Sequence, residues 1–432
     1  MVADELQKPG NRREFWIAAG LLLFVAIAFY LSTKATLHDL DYTTQIASAL
    51  IHGRLGLREK PPEWLNEMIP WKGKYYSAFP LGAVLSMLPV ALLQQIGWIR
   101  GFPGHALAAL IAGLCAYFFF QLTKAFGADY SALTTKTLAR RVMLALFPIF
   151  GTWTWCNLGF GGAWQIALGL ALLGQTAALY FTLVRPSPFV AGAFFALAFG
   201  NRTELLITLP LYIYLFWRRC SHGAASPCSG EEHASCASTQ RGDYKSVAKL
   251  PMLIRFLSLP VTLGLLTVAY NFARFHSILD FGYMHIPEVR DEPWYQHGLF
   301  SIQAIPWNIY TMLFQGFETI DYFPYIQPNG FGCSIFLASP FLFLLFRQGG
   351  RYKVVAWVAI ALLTLVLWAH GNPGSWQFSY RYAMILLPWM FLLLTGNGSA
   401  RISLPEVSLF ALSVTINAIA MWQFLWTDQI QP

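Results

Sequence analysis

The sequence predicts an all-α polytopic membrane protein, and three observations carry that prediction. Apolar runs near the length needed to cross a bilayer recur along the whole chain. Hydrophobic residues fill 56% of the 432 positions and charged ones only 12%, which leaves no soluble domain of conventional size. Mean hydropathy is +0.48, and 35 Phe and 16 Trp suit a surface that meets lipid and headgroups. The net charge of +8 does not indicate a nucleic-acid binder, because Lys and Arg fall between apolar runs and form no single stripe.

Taken in order, the expected spans are about 15–33, 105–123, 141–156, 163–184, 188–200, 204–217, 254–272, 332–346, 354–370, 383–396 and 405–426. That is about 11 transmembrane helices, within a range of about 10 to 12. Several are short for a crossing of roughly 30 Å at 1.5 Å per residue, so tilted or broken helices are expected. Phe79 to Trp98 is apolar enough to span, but Pro80 and Pro89 leave open an interfacial or dipping path. Pro188 to Trp217 is long for one span, and Gly200-Asn201-Arg202-Thr203-Glu204 interrupts it; a helix broken there is the preferred reading.

The polar start from Met1 to Glu14, with Lys8, Arg12 and Arg13, leads into a run too long for a signal-peptide core, so a cytoplasmic N-terminus is expected. The broken-helix reading places Lys124, Lys136, Arg140, Arg141, Arg218, Arg219, Arg241, Lys245, Lys249, Arg347, Arg351, Lys353 and Arg401 on that same side, as the positive-inside rule asks. A single transmembrane domain over 1–432 follows, with a first outer loop at 34–104, a cytoplasmic loop at 218–250 and a large outer loop at 274–331. The expected location is a bacterial inner (plasma) membrane, with the working face toward the periplasm or outside.

Cys115, Cys156 and Cys333 lie in or beside apolar runs and read as small hydrophobic residues. Cys220, Cys228 and Cys236 are spaced eight apart near His222 and His233, without the paired spacing of a zinc site; a reduced cytoplasmic loop is the expectation.

Charge contradicts the topological rule in the first outer loop, where Lys34, Arg54, Arg58, Lys60, Lys72 and Lys74 gather. Such cations bind an anionic ligand or meet lipid headgroups. In the same loop Leu37-His38-Asp39-Leu40-Asp41-Tyr42 sets two carboxylates just outside the first span. They read either as a general base or metal site, or as a loop in which Asp39 caps the following helix. Spacing at Ile46, Ala49, Leu50 and Gly53 predicts that this helix is amphipathic and interfacial.

The pattern resembles the type C glycosyltransferases, multispanning enzymes that include the protein O-mannosyltransferases and the lipid A aminoarabinose transferase. Asp39, Ala47, Leu50 and Gly53 are similar to that family's first outer loop, and Trp71-Lys72-Gly73-Lys74-Tyr75-Tyr76-Ser77-Ala78-Phe79-Pro80-Leu81-Gly82 to the segment after it. Asn201-Arg202-Thr203, Tyr270-Asn271-Phe272-Ala273-Arg274-Phe275 and Gln377-Phe378-Ser379-Tyr380-Arg381-Tyr382 extend the likeness in order over most of the chain.

The resemblance implies a polyprenyl-phosphate-linked sugar as donor, transfer with inversion to an envelope acceptor hydroxyl, and Asp39 as the catalytic aspartate. Leu40 and Thr43 depart from the family pattern, so Asp41 stands as a rival base. A carboxylate can take the proton of an attacking hydroxyl, and cations stabilise the departing phosphate. Arg202 and Arg381 are the first candidates for that phosphate, followed by Lys72 and Lys74, with Tyr75 and Tyr76 as substrate contacts.

Arg202 has a structural alternative in an ion pair with Glu204, and Arg381 in an interfacial aromatic belt. No cofactor or metal is expected; the alternative is a divalent ion on His38, Asp39 and Asp41, completed by His285 or His297. The large outer loop carries Tyr283, Trp294, Tyr295, Trp307, Tyr310, Tyr322 and Tyr325, which can stack on sugars or anchor at the interface, and Glu288, Asp291 and Glu292 near its middle. A transporter or flippase of a lipid-linked or anionic substrate is the alternative function, with Arg202, Glu204 and Asp39 lining its path. A scaffold without activity is the third.

Overall fold

A backbone surrounded by lipid must satisfy its own hydrogen bonds, so an unbroken apolar run becomes a helix. The computed structural model describes residues 9–34, 38–126, 134–222, 238–427 and 429–430, without the side chains of 9–12 and 219–248. It is mostly helical. Helix α1 (Pro9–Ser32) is followed by the short α2 (Thr44–Ile51) and a hairpin of β1 (Ile69–Trp71) and β2 (Lys74–Tyr76). The stretch expected at 79–98 forms two pieces, α3 (Leu81–Ser86) and α4 (Leu88–Gln95), parted at Met87 just before Pro89. Neither is long enough to cross a bilayer.

Next come α5 (Gly104–Leu122), α6 (Thr135–Phe150), the single turn-and-a-half of α7 (Thr154–Gly159) and α8 (Ala163–Leu183). The expected span at 141–156 is thus interrupted after Phe150, at Gly151. Helix α9 (Pro188–Asn201) stops at Arg202, which is extended (φ −138°, ψ 96°); a tight 3₁₀ stretch, Thr203–Thr208, leads into α10 (Leu209–His222). The break therefore falls inside the Gly200–Glu204 interruption.

The second half holds α11 (Ser238–Phe275), α12 (Ile305–Leu313), a small hairpin of β3 (Glu318–Thr319) and β4 (Ile326–Gln327), and α13 (Ile335–Ala338). The run expected at 332–346 continues from α13 only as a 3₁₀ stretch, Pro340–Phe346. Helices α14 (Lys353–Ala369), α15 (Leu387–Gly396) and α16 (Leu404–Leu425) close the chain.

Among the described residues five helices are long and apolar enough to cross a membrane: Arg13–Ser32, Gly104–Phe126, Ala163–Leu183, Lys249–Phe275 and Leu404–Leu425. Pro188–Asn201, Lys353–Ala369 and Arg381–Gly396 are apolar but shorter. Burial orders the five: the α8 window is 83% buried and the α11 window 11%, so α8 is the centre of the bundle and α11 lies at its edge. Exposed Leu265, Leu266, Val268 and Phe272 on α11, and Leu23, Phe24 and Ile27 on α1, make an apolar surface suited to lipid. Helices α5 and α9 flank α8, and α1 and α11 pack outside them.

Helix α3 reaches this bundle by a backbone contact with α9. A Cβ on Gly82 would lie 2.3 Å from Gly200 Cα, so no larger residue fits at Gly82 without moving a helix.

At the end of the bundle where α1 begins, charge is buried in matched pairs. Arg141 Nη1 donates to Glu14 Oε1 at 2.6 Å, Lys124 Nζ meets Glu14 Oε2 at 2.5 Å, and Arg140 Nη2 meets Glu406 Oε1 at 3.0 Å. Glu406 Oε2 also closes a capping box with Ser403 at the start of α16. Removing one partner of so buried a pair typically costs about 3–5 kcal/mol, so the network pins α1, α6 and α16 together.

Candidate active site

The site forms at the other end, where α1 finishes and α5, α8 and α14 meet the loops. In the β1–β2 hairpin Lys72 (φ 48°) and Gly73 (φ 72°) make a two-residue turn of left-handed residues, the type that matches strand twist. Alternation along β2 then sends neighbouring side chains to opposite faces. Tyr75 lines a cavity of about 790 Å³, whereas Tyr76 is buried against Ile69 and Phe275 in a separate small cluster.

The same cavity is lined by Arg202, Arg381 and Tyr382 and by Glu67, Glu204, Glu292 and His370. Arg202 reaches it because α9 breaks there, and Arg381 and Tyr382 because α15 is preceded by a 3₁₀ stretch, Arg381–Leu386. The two guanidinium groups share one aromatic ring: Arg202 Cζ is 4.7 Å and Arg381 Cζ 5.1 Å from the Tyr382 centroid.

Their partners differ. Arg202 donates from Nε to Glu204 Oε1 at 2.8 Å, with Nη2 at 2.7 Å from the same oxygen. Arg381 is 6% exposed, and its Nη2 donates to Ser375 Oγ and to the Tyr382 hydroxyl, both at 3.3 Å. Among the described residues no carboxylate lies within ion-pair distance of it, and its buried Nε has no hydrogen-bond partner. A buried charge that is not ion-paired is costly; Glu67 offsets part of that cost from beyond ion-pair distance, and an anion in the cavity would offset more.

The carboxylate nearest in character to a working group is Glu67, in the loop before β1. Its Oε2 accepts a short hydrogen bond from Trp164 Nε1, at the first turn of α8. The Trp164 ring is itself fixed against Phe79, with centroids 4.1 Å apart. Burial pushes the Glu67 carboxyl above the usual carboxylate range, the Trp164 N–H and the Arg381 charge pull it back in part, and Glu292 adds to the rise. His370, at the end of α14, has its Nδ1 2.7 Å from the Asn372 carbonyl oxygen and its ring edge-on to Tyr382, with centroids 5.6 Å apart.

Of the residues expected from the sequence, Arg202, Arg381 and Tyr75 line this cavity, as do Lys60, Glu204, Tyr283, Glu288 and Glu292, whereas Asp39, Asp41, Lys72, Lys74 and Tyr76 do not. Asp39 lies in another place: it is exposed, its Oδ2 accepts from the Phe102 backbone N–H at 3.2 Å, and it lines a small recess with His105 and Gly161. Asp41 is buried, and its Oδ1 accepts from the backbone N–H groups of Thr43 (3.1 Å) and Thr44 (2.7 Å), so Asp41 and not Asp39 caps α2. Burial nevertheless leaves its carboxyl above the usual range. Lys72 and Lys74 are exposed beside the hairpin turn and Tyr76 faces away, so none of the three touches the cavity.

The metal alternative does not assemble. His38 stacks on Trp64, with centroids 4.4 Å apart, and His285 Nε2 is 2.7 Å from Asp280 Oδ2. Among the described residues no group of three or more His, Cys, Asp or Glu converges as a metal would require. The side chains of Cys220, Cys228 and Cys236, with His222 and His233, lie outside the described residues.

Sequence reasoning missed Glu67, Trp164 and His370, and named Tyr382 only as a neighbour of Arg381. No local pattern marks Glu67; its significance comes from Trp164, 97 residues away. Comparison with family models, curated proteins and solved structures returned no match.

Proposed function

We propose that the chain is an inverting membrane glycosyltransferase of type C architecture, with about 11 spans, that moves a sugar from a polyprenyl-phosphate donor to an envelope hydroxyl on the outer side of a bacterial plasma membrane. The observation that carries this reading is Arg381: buried, open on a large cavity, without a carboxylate partner and one ring away from a second guanidinium. Guanidinium forks match phosphate oxygens, and their charge is most effective where water is excluded.

In this reading Arg381 and Arg202 hold the phosphate that leaves with the lipid. Tyr75, Tyr283 and Tyr382 offer ring faces and hydroxyls to the sugar, as amphipathic aromatics do at polar ligands. Val366, Leu367, Leu299 and Phe300 give the cavity an apolar side for the first isoprene units. The reaction needs no cofactor on this account, because an ordinary carboxylate suffices as base.

One observation favours the transporter reading instead: a charged pair, Arg202 and Glu204, at the break of a discontinuous helix is how transporters build substrate sites. Mass spectrometry of envelope glycans from cells with and without the gene separates the two. A glycan that loses one sugar when the gene is deleted supports the transferase. Unmodified glycans, together with accumulated donor lipid on the inner leaflet, support the transporter.

A further inference from the structure

We propose that Glu67 is the base that removes the proton from the attacking hydroxyl, in place of either carboxylate of the Asp39 and Asp41 pair. The inference rests on the glycosyltransferase reading of the cavity and assigns a residue within it.

Geometry comes first. Glu67 shares the cavity with Arg202 and Arg381, whereas Asp39 lines a different recess and Asp41 is occupied by two backbone N–H groups. Of the other carboxylates on the cavity wall, Glu204 is already paired with Arg202, Glu63 and Glu288 are exposed, and Glu292, half-buried, has no hydrogen bond comparable to that of Trp164 on Glu67. Glu67 is held at one oxygen only: Trp164 fixes Oε2, and among the described residues no donor is bonded to Oε1. A carboxylate fixed by one oxygen and free at the other is oriented without being consumed.

Inversion sets a requirement on the base and the cations. The acceptor must approach the sugar from the face opposite the leaving phosphate, so base and guanidinium must flank one ring without touching. The Arg381 charge acts on Glu67, yet the two form no ion pair. Burial raises the carboxyl of Glu67 toward the range where a base accepts protons most effectively near neutrality.

The step balances. The hydroxyl oxygen forms a bond to the anomeric carbon while the bond from that carbon to the phosphate oxygen breaks. The electron pair leaves with the polyprenyl phosphate against Arg381 and Arg202, and the hydroxyl proton passes to Glu67 Oε1.

The test uses the full chain in phosphatidylethanolamine and phosphatidylglycerol liposomes. The probes are a panel of labelled hexoses and pentoses on C55 polyprenyl phosphate, with extracted envelope glycolipid and glycan as acceptors, and unlabelled polyprenyl phosphate measures binding. Glu67→Gln is expected to bind polyprenyl phosphate as the parent does and to transfer at least about 100-fold more slowly. Asp39→Asn should stay within about threefold of the parent, as a residue outside the reacting cavity would.

Trp164→Phe supplies a readout that a structural role would not move. Its N–H favours the ionised carboxylate, so its loss raises the Glu67 pKa further and shifts the acid limb of the kcat/KM profile to higher pH. Full transfer by Glu67→Gln overturns the inference, as does loss in Asp39→Asn with activity kept in Glu67→Gln. If both variants are inactive, an unmoved acid limb in Trp164→Phe overturns it and a raised one supports it. A parent protein that binds the lipid but transfers no sugar from the panel removes the glycosyltransferase reading and this inference with it, whereas parental transfer with an unaffected Glu67→Gln removes the inference alone.

Discussion

The two ends of the bundle bury arginine in opposite ways. At one end Arg140 and Arg141 are fully buried, and each faces a carboxylate on another helix, Glu406 and Glu14. At the other end Arg381 is almost as deeply buried, yet its hydrogen bonds go to hydroxyls, an aromatic ring lies beside it, and Glu67 acts on its charge without forming an ion pair. The first arrangement matches each guanidinium to a carboxylate and holds helices together. The second is incomplete, and a fold retains a buried, unmatched charge where something else supplies the counter-charge. On the proposed reading, the contrast separates structural cations from binding ones by partner, which burial alone does not do.

Substitutions at three positions test that contrast. The largest effect is expected from Arg381→Ala, which should lower transfer by about 10²–10³-fold, the range for removing one group that stabilises developing charge, and abolish binding of polyprenyl phosphate. Arg381→Lys should recover part of the binding, because a point charge replaces a fork. Unchanged lipid binding in Arg381→Ala would erase the distinction between the two ends. Arg140→Ala should act on stability instead, by about 3–5 kcal/mol, seen as a fall in the thermal midpoint in detergent with unchanged turnover per folded molecule. Glu204→Gln should have the smallest effect: freeing Arg202 from its partner tightens polyprenyl-phosphate binding by about two- to fivefold and steepens its salt dependence. Weaker binding in that variant would mean that Glu204 aims Arg202 at the ligand and does not compete for it.

Much of the fold was readable because lipid imposes a coarse rule. A run such as Ala163–Leu183, apolar on every side, can only be a helix at the centre of a bundle, and the polar Gly200–Glu204 stretch in a long apolar run could be read as a break. Short runs were read less well. Between residues 135 and 159, and again from 335 to 346, apolar character persists while the backbone turns at Gly151 and at Ser339, which hydropathy does not register.

In the site, Arg202 and Arg381 stood out because a guanidinium in an apolar run always needs an account. Asp39 and Asp41 stood out for the same reason, but a carboxylate beside a span can serve a cap or a loop as well as a ligand, and chain position does not reveal its direction. Tyr75 and Tyr76 illustrate the limit in miniature: adjacent residues on a strand cannot both face one cavity, and the sequence does not say which of them does. Glu67 was hidden because its partners, Trp164 and Arg381, arrive from distant parts of the chain.

The backbone contact between Gly82 and Gly200 has a consequence for how such a chamber can diversify. Arg202 stands two residues past that contact, so bulk added there would wedge two helices apart before it reshaped the cavity. On the proposed reading, room for a larger or smaller sugar comes from the opposite side, from the hairpin at 69–76 and the segment at 281–292, apart from Gly282, whose Cβ would meet Ile69 and Phe275. Versions of this protein that differ in cargo should therefore differ in those ceilings and keep the same floor.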